Sequence, residues 1–122
     1  MRYSNPFHRI INASRYSLNG LYYALKNEQA FQYEAVVLIV LCIILFIISL
    51  PLMYKLYLVF IWLIVMALEL VNSSVEKAFD LIDEHYRPEI KAGKDMLSSA
   101  VFIMICFNIF SWTAVIFEVL IH

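Results

Sequence analysis

The chain has 122 residues, of which 63% are hydrophobic and only 16% charged, and its net charge is −1. That length holds one domain, 1–122, and a soluble domain of this size has no core large enough for so many apolar side chains. The membrane must therefore act as part of its solvent, and the near-neutral charge supplies no general field for nucleic acid.

The first predicted element is a helix over 7–27. Phe7, Ile10, Ile11, Leu18, Leu21, Tyr22 and Leu25 recur at helical spacing, while His8, Arg9, Asn12, Arg15, Asn19 and Lys26 fall on the other face. A helix with one apolar and one cationic side lies in the headgroup layer of a bilayer. The polar, basic leader before the first apolar run is too long for a signal-peptide n-region, so no signal peptide is expected.

Three apolar runs follow, at about 35–50, 52–70 and 101–121. A bilayer core takes about 20 helical residues, so the helices that contain these runs are placed at 28–50, 52–85 and 91–121. Pro51, with Ser49 and Lys55 nearby, marks a tight hairpin between the first two. The segment from Lys77 to Asp95 is the most charged part of the chain, with Asp80, Asp83, Glu84, Arg87, Glu89, Lys91 and Lys94 between them, and Pro88 is expected to end or kink the second helix. Cys42 and Cys106 sit inside apolar runs and read as small hydrophobes. Only Gly20 and Gly93 are glycine, which leaves no glycine-rich phosphate loop. His8, His85 and His122 are too scattered for a metal site, and Trp62 and Trp112 read as packing or interface residues.

Basic residues set the orientation. Arg2, Arg9, Arg15 and Lys26 lie in the leader, and Lys77, Arg87, Lys91 and Lys94 in the charged segment. The hairpin has only Lys55, and the C-terminus has none. The positive-inside rule places the N-terminus and the charged segment in the cytoplasm, and three spans then leave the C-terminus outside.

The chemistry gathers where the second span ends. Glu69, Asn72, Glu76 and Asp80 fall at i, i+3, i+7 and i+11 and form one polar stripe on a helix. A charge near a membrane boundary costs free energy, about 2.5–3.5 kcal/mol at the bilayer centre and less toward the interface, so a stripe of acids points to chemistry or ion handling. Glu69 and Glu76 are about 10.5 Å apart along the helix at 1.5 Å per residue, too far to share one ion directly. Each has its own task or a partner from another element. Glu28 and Glu34 flank the start of the first span and are expected at the same membrane level. Oxygen-only ligands favour Mg²⁺ over Zn²⁺, and Mg²⁺ is usually held by one or two carboxylates plus phosphate oxygens, which makes a nucleotide the expected second ligand. Lys94 beside Asp95, or Arg9 from the surface helix, can set a cation against those phosphates. The plainer readings are an interhelical hydrogen bond for Glu69, a solvated face for Glu76, Lys77 and Asp80, and helix-start electrostatics for Lys94 and Asp95. Residue by residue, the chain reads as a small three-span membrane protein with an acidic, cytoplasm-facing pocket, and no reaction is named.

The run Glu69-Leu-Val-Asn72-Ser-Ser-Val-Glu76, followed by Lys94-Asp95-Met96, closely resembles the prokaryotic diacylglycerol kinase family. So do Arg9-Ile-Ile, Tyr16-Ser17 with Gly20-Leu21, and Glu28-Gln-Ala30-Phe31 with Glu34, and the matches run in order from Arg9 to Trp112. The resemblance implies an all-α integral membrane homotrimer, each protomer with three transmembrane helices and an amphipathic N-terminal surface helix, and with active sites shared between neighbours. It implies residence in the bacterial inner membrane with the C-terminus in the periplasm. The implied reaction is transfer of the γ-phosphoryl group of MgATP to the free hydroxyl of diacylglycerol, giving phosphatidic acid.

Carried over by position, the resemblance makes Glu69 the proton acceptor and Glu28 and Glu76 the Mg²⁺ carboxylates. It makes Arg9, Tyr16, Lys94 and Asp95 nucleotide contacts and aligns His85, Tyr86 and Arg87 with a further nucleotide-contacting segment. Ser17, Phe31, Glu34, Lys55, Ser98 and Trp112 fall at lipid-side positions, and Asn72 supports a carboxylate or phosphate. Two positions depart from the family pattern. Leu97 stands where a small residue is common, and Lys91-Ala92-Gly93 replaces an order with the basic residue at position 92. A related branch phosphorylates undecaprenol and tends to carry histidine near position 34, where this chain has Glu34, so diacylglycerol is favoured. A small multidrug-type transporter needs four spans with its glutamate in the first. A non-catalytic membrane subunit has no use for acids at helical spacing opposite a Lys-Asp pair.

Overall fold

The computed structural model describes residues 5–83 and 85–121. Arg2 of the leader, Glu84 of the charged segment and His122 lie outside the described residues. The described chain forms four helices: α1 Pro6–Asn27, α2 Gln29–Ile47, α3 Leu52–Ile82 and α4 Pro88–Ile121. The last three are each long and apolar enough to cross a membrane.

Local chemistry explains where α1 begins and ends. Asn5 caps its start, with Oδ1 accepting the His8 amide at 2.7 Å, and Pro6 takes the first turn, where a missing N–H costs nothing. Ala24 is its one buried residue, so the helix docks through a small spot and leaves most of its surface exposed. A single residue, Glu28, separates α1 from α2 in extended conformation (φ −108°, ψ 109°). Its amide closes α1 on the Ala24 carbonyl at 2.9 Å, and its carbonyl opens α2 by accepting the Gln32 amide at 3.0 Å. Gln32 also reaches back across the elbow, its Nε2 donating to the Leu25 carbonyl at 3.0 Å. The elbow therefore has little freedom, and it fixes where the Glu28 side chain starts.

The turn between α2 and α3 is short because Pro51 stops the ladder. Its carbonyl, freed from any helix of its own, accepts the amides of Tyr54 and Lys55 at 3.1 and 3.2 Å and starts α3. With 31 residues, α3 is about 46 Å long, well beyond a hydrocarbon core of about 30 Å. Its last turns carry Glu76, Lys77 and Asp80, beyond the helix's apolar stretch. Pro88 does not end or kink α3: it is the first residue of α4, where its fixed φ suits a helix start, and α3 has already stopped at Ile82. The fourth helix thus begins three residues before the Lys91 expected from the charge pattern.

The central helix is α3, which packs on both α2 and α4. Leu58 and Val65 on it are fully buried. One core cluster joins Leu41 and Leu45 of α2, Leu58 and Ile61 of α3, and Val115 of α4. A second joins Ala24, Phe31 and Met66 and seats the elbow. Hydrogen bonds stitch the same interfaces: Tyr57 with Ser111 at 3.0 Å, Asn108 Nδ2 to the Ile61 carbonyl at 3.1 Å, and Trp62 Nε1 to the Glu34 carbonyl at 2.9 Å. In lipid such bonds contribute about 0.6 kcal/mol each, because apolar burial no longer separates helix from solvent. The outer faces are apolar and exposed, from Ile39 and Phe46 to Phe102, Phe110 and Phe117, as a surface wetted by acyl chains or by another membrane helix has to be.

Gly93 has a packing role. A Cβ built there would stand 2.6 Å from Cζ of Phe79, so the ring of α3 rests directly on the α4 backbone. The Lys91-Ala92-Gly93 order, unexpected from the family pattern, places the residue without a side chain under that ring.

Candidate active site

Burial fades along the acidic stripe as α3 leaves the apolar layer. Glu69 and Asn72 are buried (7% and 9% exposed), Glu76 is half-buried and Asp80 exposed. Glu69, Asn72 and Ser98 line a cleft of about 270 Å³ whose far wall is Val101, Phe102 and Ile105 of α4. One side of that cleft is acid and amide and the other is hydrocarbon, the form a site needs to meet a lipid headgroup and its tails together.

Carboxylates from two further positions converge on Glu69. It lies in the field of both Glu76 and Glu28, and Glu34 lies in the field of Glu69. Glu34 is itself buried, and neither its Oε1 nor Oδ1 of Asn72 receives a hydrogen bond among the described residues. A buried acceptor without a donor is costly, about 1–3 kcal/mol, and such sites call for an explanation in function.

The elbow carries Glu28 to α3. Its Oε1 forms a 2.7 Å ion pair with Lys77, whose ammonium also stands 5.4 Å from the centre of the Tyr23 ring. These residues border a second cleft, about 540 Å³, between α1 and α3, with Ser17, Gly20, Ser73 and Ser74 on its walls. Lys77 is exposed, as on a solvated face, with its ammonium held by Glu28 and against Tyr23. Its position immediately after Glu76 was the one signal in the sequence, and it could not show which carboxylate the side chain reaches.

His85, Tyr86, Arg87, Lys94 and Asp95 border a third cleft, about 440 Å³, at the α3–α4 connection. Its charges are paired: Lys94 with Asp80 at 2.8 Å, Lys91 with Asp95 at 2.6 Å and Arg87 with Asp83 at 3.2 Å, and Nδ1 of His85 lies 3.0 Å from the same Asp83. A polyanion entering here would exchange these contacts for its own.

The remaining positions do not share the Glu69 cleft. Arg9 and Tyr16 are exposed on α1. Phe31 is a core residue, 3% exposed. Trp112 packs on the Leu41–Leu58 cluster and borders an apolar lateral groove with Val40 and Ile109. Lys55 is fourteen residues before Glu69 on the same helix, about 21 Å away. Trp62, which bonds the carbonyl of Glu34, is a support the sequence signalled only as an aromatic.

The donor set suits a cation. Glu28 already holds one, the Lys77 ammonium. Among the described residues no group of three His, Cys, Asp or Glu side chains stands close enough to hold a metal alone, so protein carboxylates would share a metal with ligands brought by a substrate.

The fold and site together define a small three-span membrane protein with convergent carboxylates at the end of its apolar layer. The family model for prokaryotic diacylglycerol kinase matches residues 15–116. Among similar proteins, the diacylglycerol kinase of Haemophilus influenzae is 35% identical over 108 residues, 88% of this chain and 92% of that one. That of Escherichia coli strain K12 is 34% identical over 106 residues, 87% of each chain. That of Helicobacter pylori strain J99 is 38% identical over 108 residues, 87% of this chain and 83% of the other. The chain belongs to the prokaryotic diacylglycerol kinase family, and it is a kinase.

Proposed function

We propose that this kinase transfers the γ-phosphoryl group of ATP to the free hydroxyl of diacylglycerol, giving phosphatidic acid at the cytoplasmic face of the bacterial inner membrane. The observation that carries the reading is the cleft that sets buried Glu69 and Asn72 against the hydrocarbon wall of Val101, Phe102 and Ile105. A lipid can leave its tails beside the helices and bring its hydroxyl to Glu69. The family membership and the names of the relatives supply the lipid.

Glu69 accepts the hydroxyl proton as its oxygen attacks the γ-phosphorus, and ADP leaves from the opposite side. Asn72, one turn on, orients the carboxylate or a phosphate oxygen. Glu28 and Glu76 would hold Mg²⁺, which would supply charge neutralisation to the nucleotide's phosphates. Lys94 and Asp95, with Arg9, Tyr16, His85, Tyr86 and Arg87, are the nucleotide contacts, and Lys94 turns from Asp80 to the phosphates. Ser17, Glu34, Lys55, Ser98 and Trp112 stand on the lipid side, and Phe31, packed in the core, acts on it through the helices. Phosphoryl transfer has a loose transition state, so positioning and electrostatics provide most of the acceleration.

The basic residues favour a cytoplasmic N-terminus and a periplasmic C-terminus, and the family resemblance favours assembly as a homotrimer with sites shared between protomers. Crosslinking in detergent tests the trimer. Radiolabelled phosphate transfer from ATP in mixed micelles, with diacylglycerol and undecaprenol in parallel, tests the reaction. Label in phosphatidic acid is expected; label in undecaprenyl phosphate alone would move the chain to the other branch, and label in neither would reject the reading.

A further inference from the structure

Lys77 is held on one side and open to solvent on the other. Its ammonium touches Glu28 at 2.7 Å and faces the Tyr23 ring, yet its side chain remains half exposed (52%), while that of Glu28 is 22% exposed. Both border the cleft walled by Ser17, Ser73 and Ser74, and Glu76 precedes Lys77 on the same helix. On the reading above, on which this inference rests, Glu28 and Glu76 are the carboxylates that take a divalent cation. Glu28 then holds its ammonium less firmly, because two cations on one carboxylate repel each other at contact range. Lysine is a compact charge on a flexible stem, suited to turn from one anion to another. The anions that arrive with the divalent cation are the nucleotide's phosphates.

We propose that Lys77 is a phosphate-binding residue of the nucleotide site, stored on Glu28 until metal and nucleotide arrive together. Once Glu28 turns to the metal, Lys77 is released to the phosphate oxygens. Glu28 therefore keeps its place at the elbow in the empty protein, and no uncompensated carboxylate waits there. The same ammonium competes with a metal that comes without nucleotide, so its removal affects the two ligands in opposite senses.

The test uses the purified full-length chain in detergent micelles, with Mn²⁺ binding read by electron paramagnetic resonance and binding of a trinitrophenyl-ATP analogue with Mg²⁺ read by fluorescence. In Lys77→Met, Mn²⁺ alone is expected to bind about threefold tighter and the nucleotide about tenfold weaker. Lys77→Gln, a second neutral variant, repeats the pattern should the methionine variant fail to fold, and Lys77→Arg restores nucleotide affinity to within about threefold of the parent. Affinities within about twofold of the parent for both ligands, with only a lower melting temperature, would mark a merely structural ion pair and overturn the proposal. Glu28→Gln is measured alongside. If it lowers Mn²⁺ affinity while the Lys77 variants change nothing, Lys77 alone loses its role. If Glu28→Gln leaves Mn²⁺ affinity unaltered, the carboxylate assignment fails and the proposal falls with it.

Discussion

At the turn end of the bundle, Tyr57 and Ser111 share a hydrogen bond across α3 and α4, and Asn108 donates both to Ile61 on α3 and to Met104 on its own helix. At the charged end, Glu34 and Asn72 are buried with acceptor oxygens that no described donor meets, and Glu69 lies in the field of Glu76 and Glu28 as Glu34 does in that of Glu69. Both ends bury polar groups within long apolar helices. The first uses them as fasteners, with only Oδ1 of Asn108 left without a described donor. The second leaves acceptors open and buries Glu69 and Glu34 without a cation, while Glu28 and Asp80 hold Lys77 and Lys94, an arrangement that makes sense where a ligand supplies further cations and donors. A stability cost concentrated at one end is the mark of a site, since most proteins give up some stability where they work.

Four substitutions probe that contrast, and the largest effect belongs to the acidic end. Glu69→Gln is expected to lower turnover by about 10²–10⁴-fold, the usual worth of a general base. Fluorescent nucleotide binding should stay within about twofold of the parent, since only the proton acceptor is lost. Unchanged phosphate transfer in micelles would remove Glu69 from that role. Glu76→Gln should weaken Mg²⁺-dependent nucleotide binding by about tenfold, or 1.4 kcal/mol; a titration with unaltered affinity would make the half-buried Glu76 part of a solvated face.

The third substitution looks for the opposite sign. Glu34→Gln keeps the shape of the side chain and removes a negative charge from the field of Glu69, so thermal unfolding in detergent should show a gain of about 0.5–2 kcal/mol. A loss of stability there would mean that the carboxylate is a fastener after all. The smallest effect is expected at the turn end. Tyr57→Phe deletes one interhelical hydrogen bond and should cost about 0.6 kcal/mol in stability while leaving phosphate transfer at the parent rate. Reduced turnover in that variant would show that the two ends are coupled through α3.

Much of the fold could be read from the residues because its signals are local. Apolar runs of membrane-spanning length, Pro51 and the helical spacing of the first segment each report on a few neighbouring residues. Pro88 was misread for the same reason, since proline either stops a helix or starts one, and the choice depends on where the preceding helix has frayed. The candidate site was half legible. Glu69, Asn72 and Glu76 share a face by periodicity, and the family pattern supplies Glu28. The partners of these acids were not legible, because each lies on another helix: Lys77 reaches the elbow at Glu28, Lys94 reaches Asp80, and Trp62 reaches the Glu34 carbonyl. Phe31 was read as a lipid-side position, yet the structure packs it in the core, where burial is a property of the assembled helices.

The sequence alone determined that this chain lives in a membrane, how many times it crosses, and that acids stand on one stripe where a span ends, because hydropathy and the 3.6-residue turn act over short stretches of chain. Tertiary structure decided which of those acids meet and which cations they hold. That outcome depends on the single-residue elbow at Glu28 and on the length by which α3 outruns the apolar layer, and both bring together side chains that are far apart in sequence.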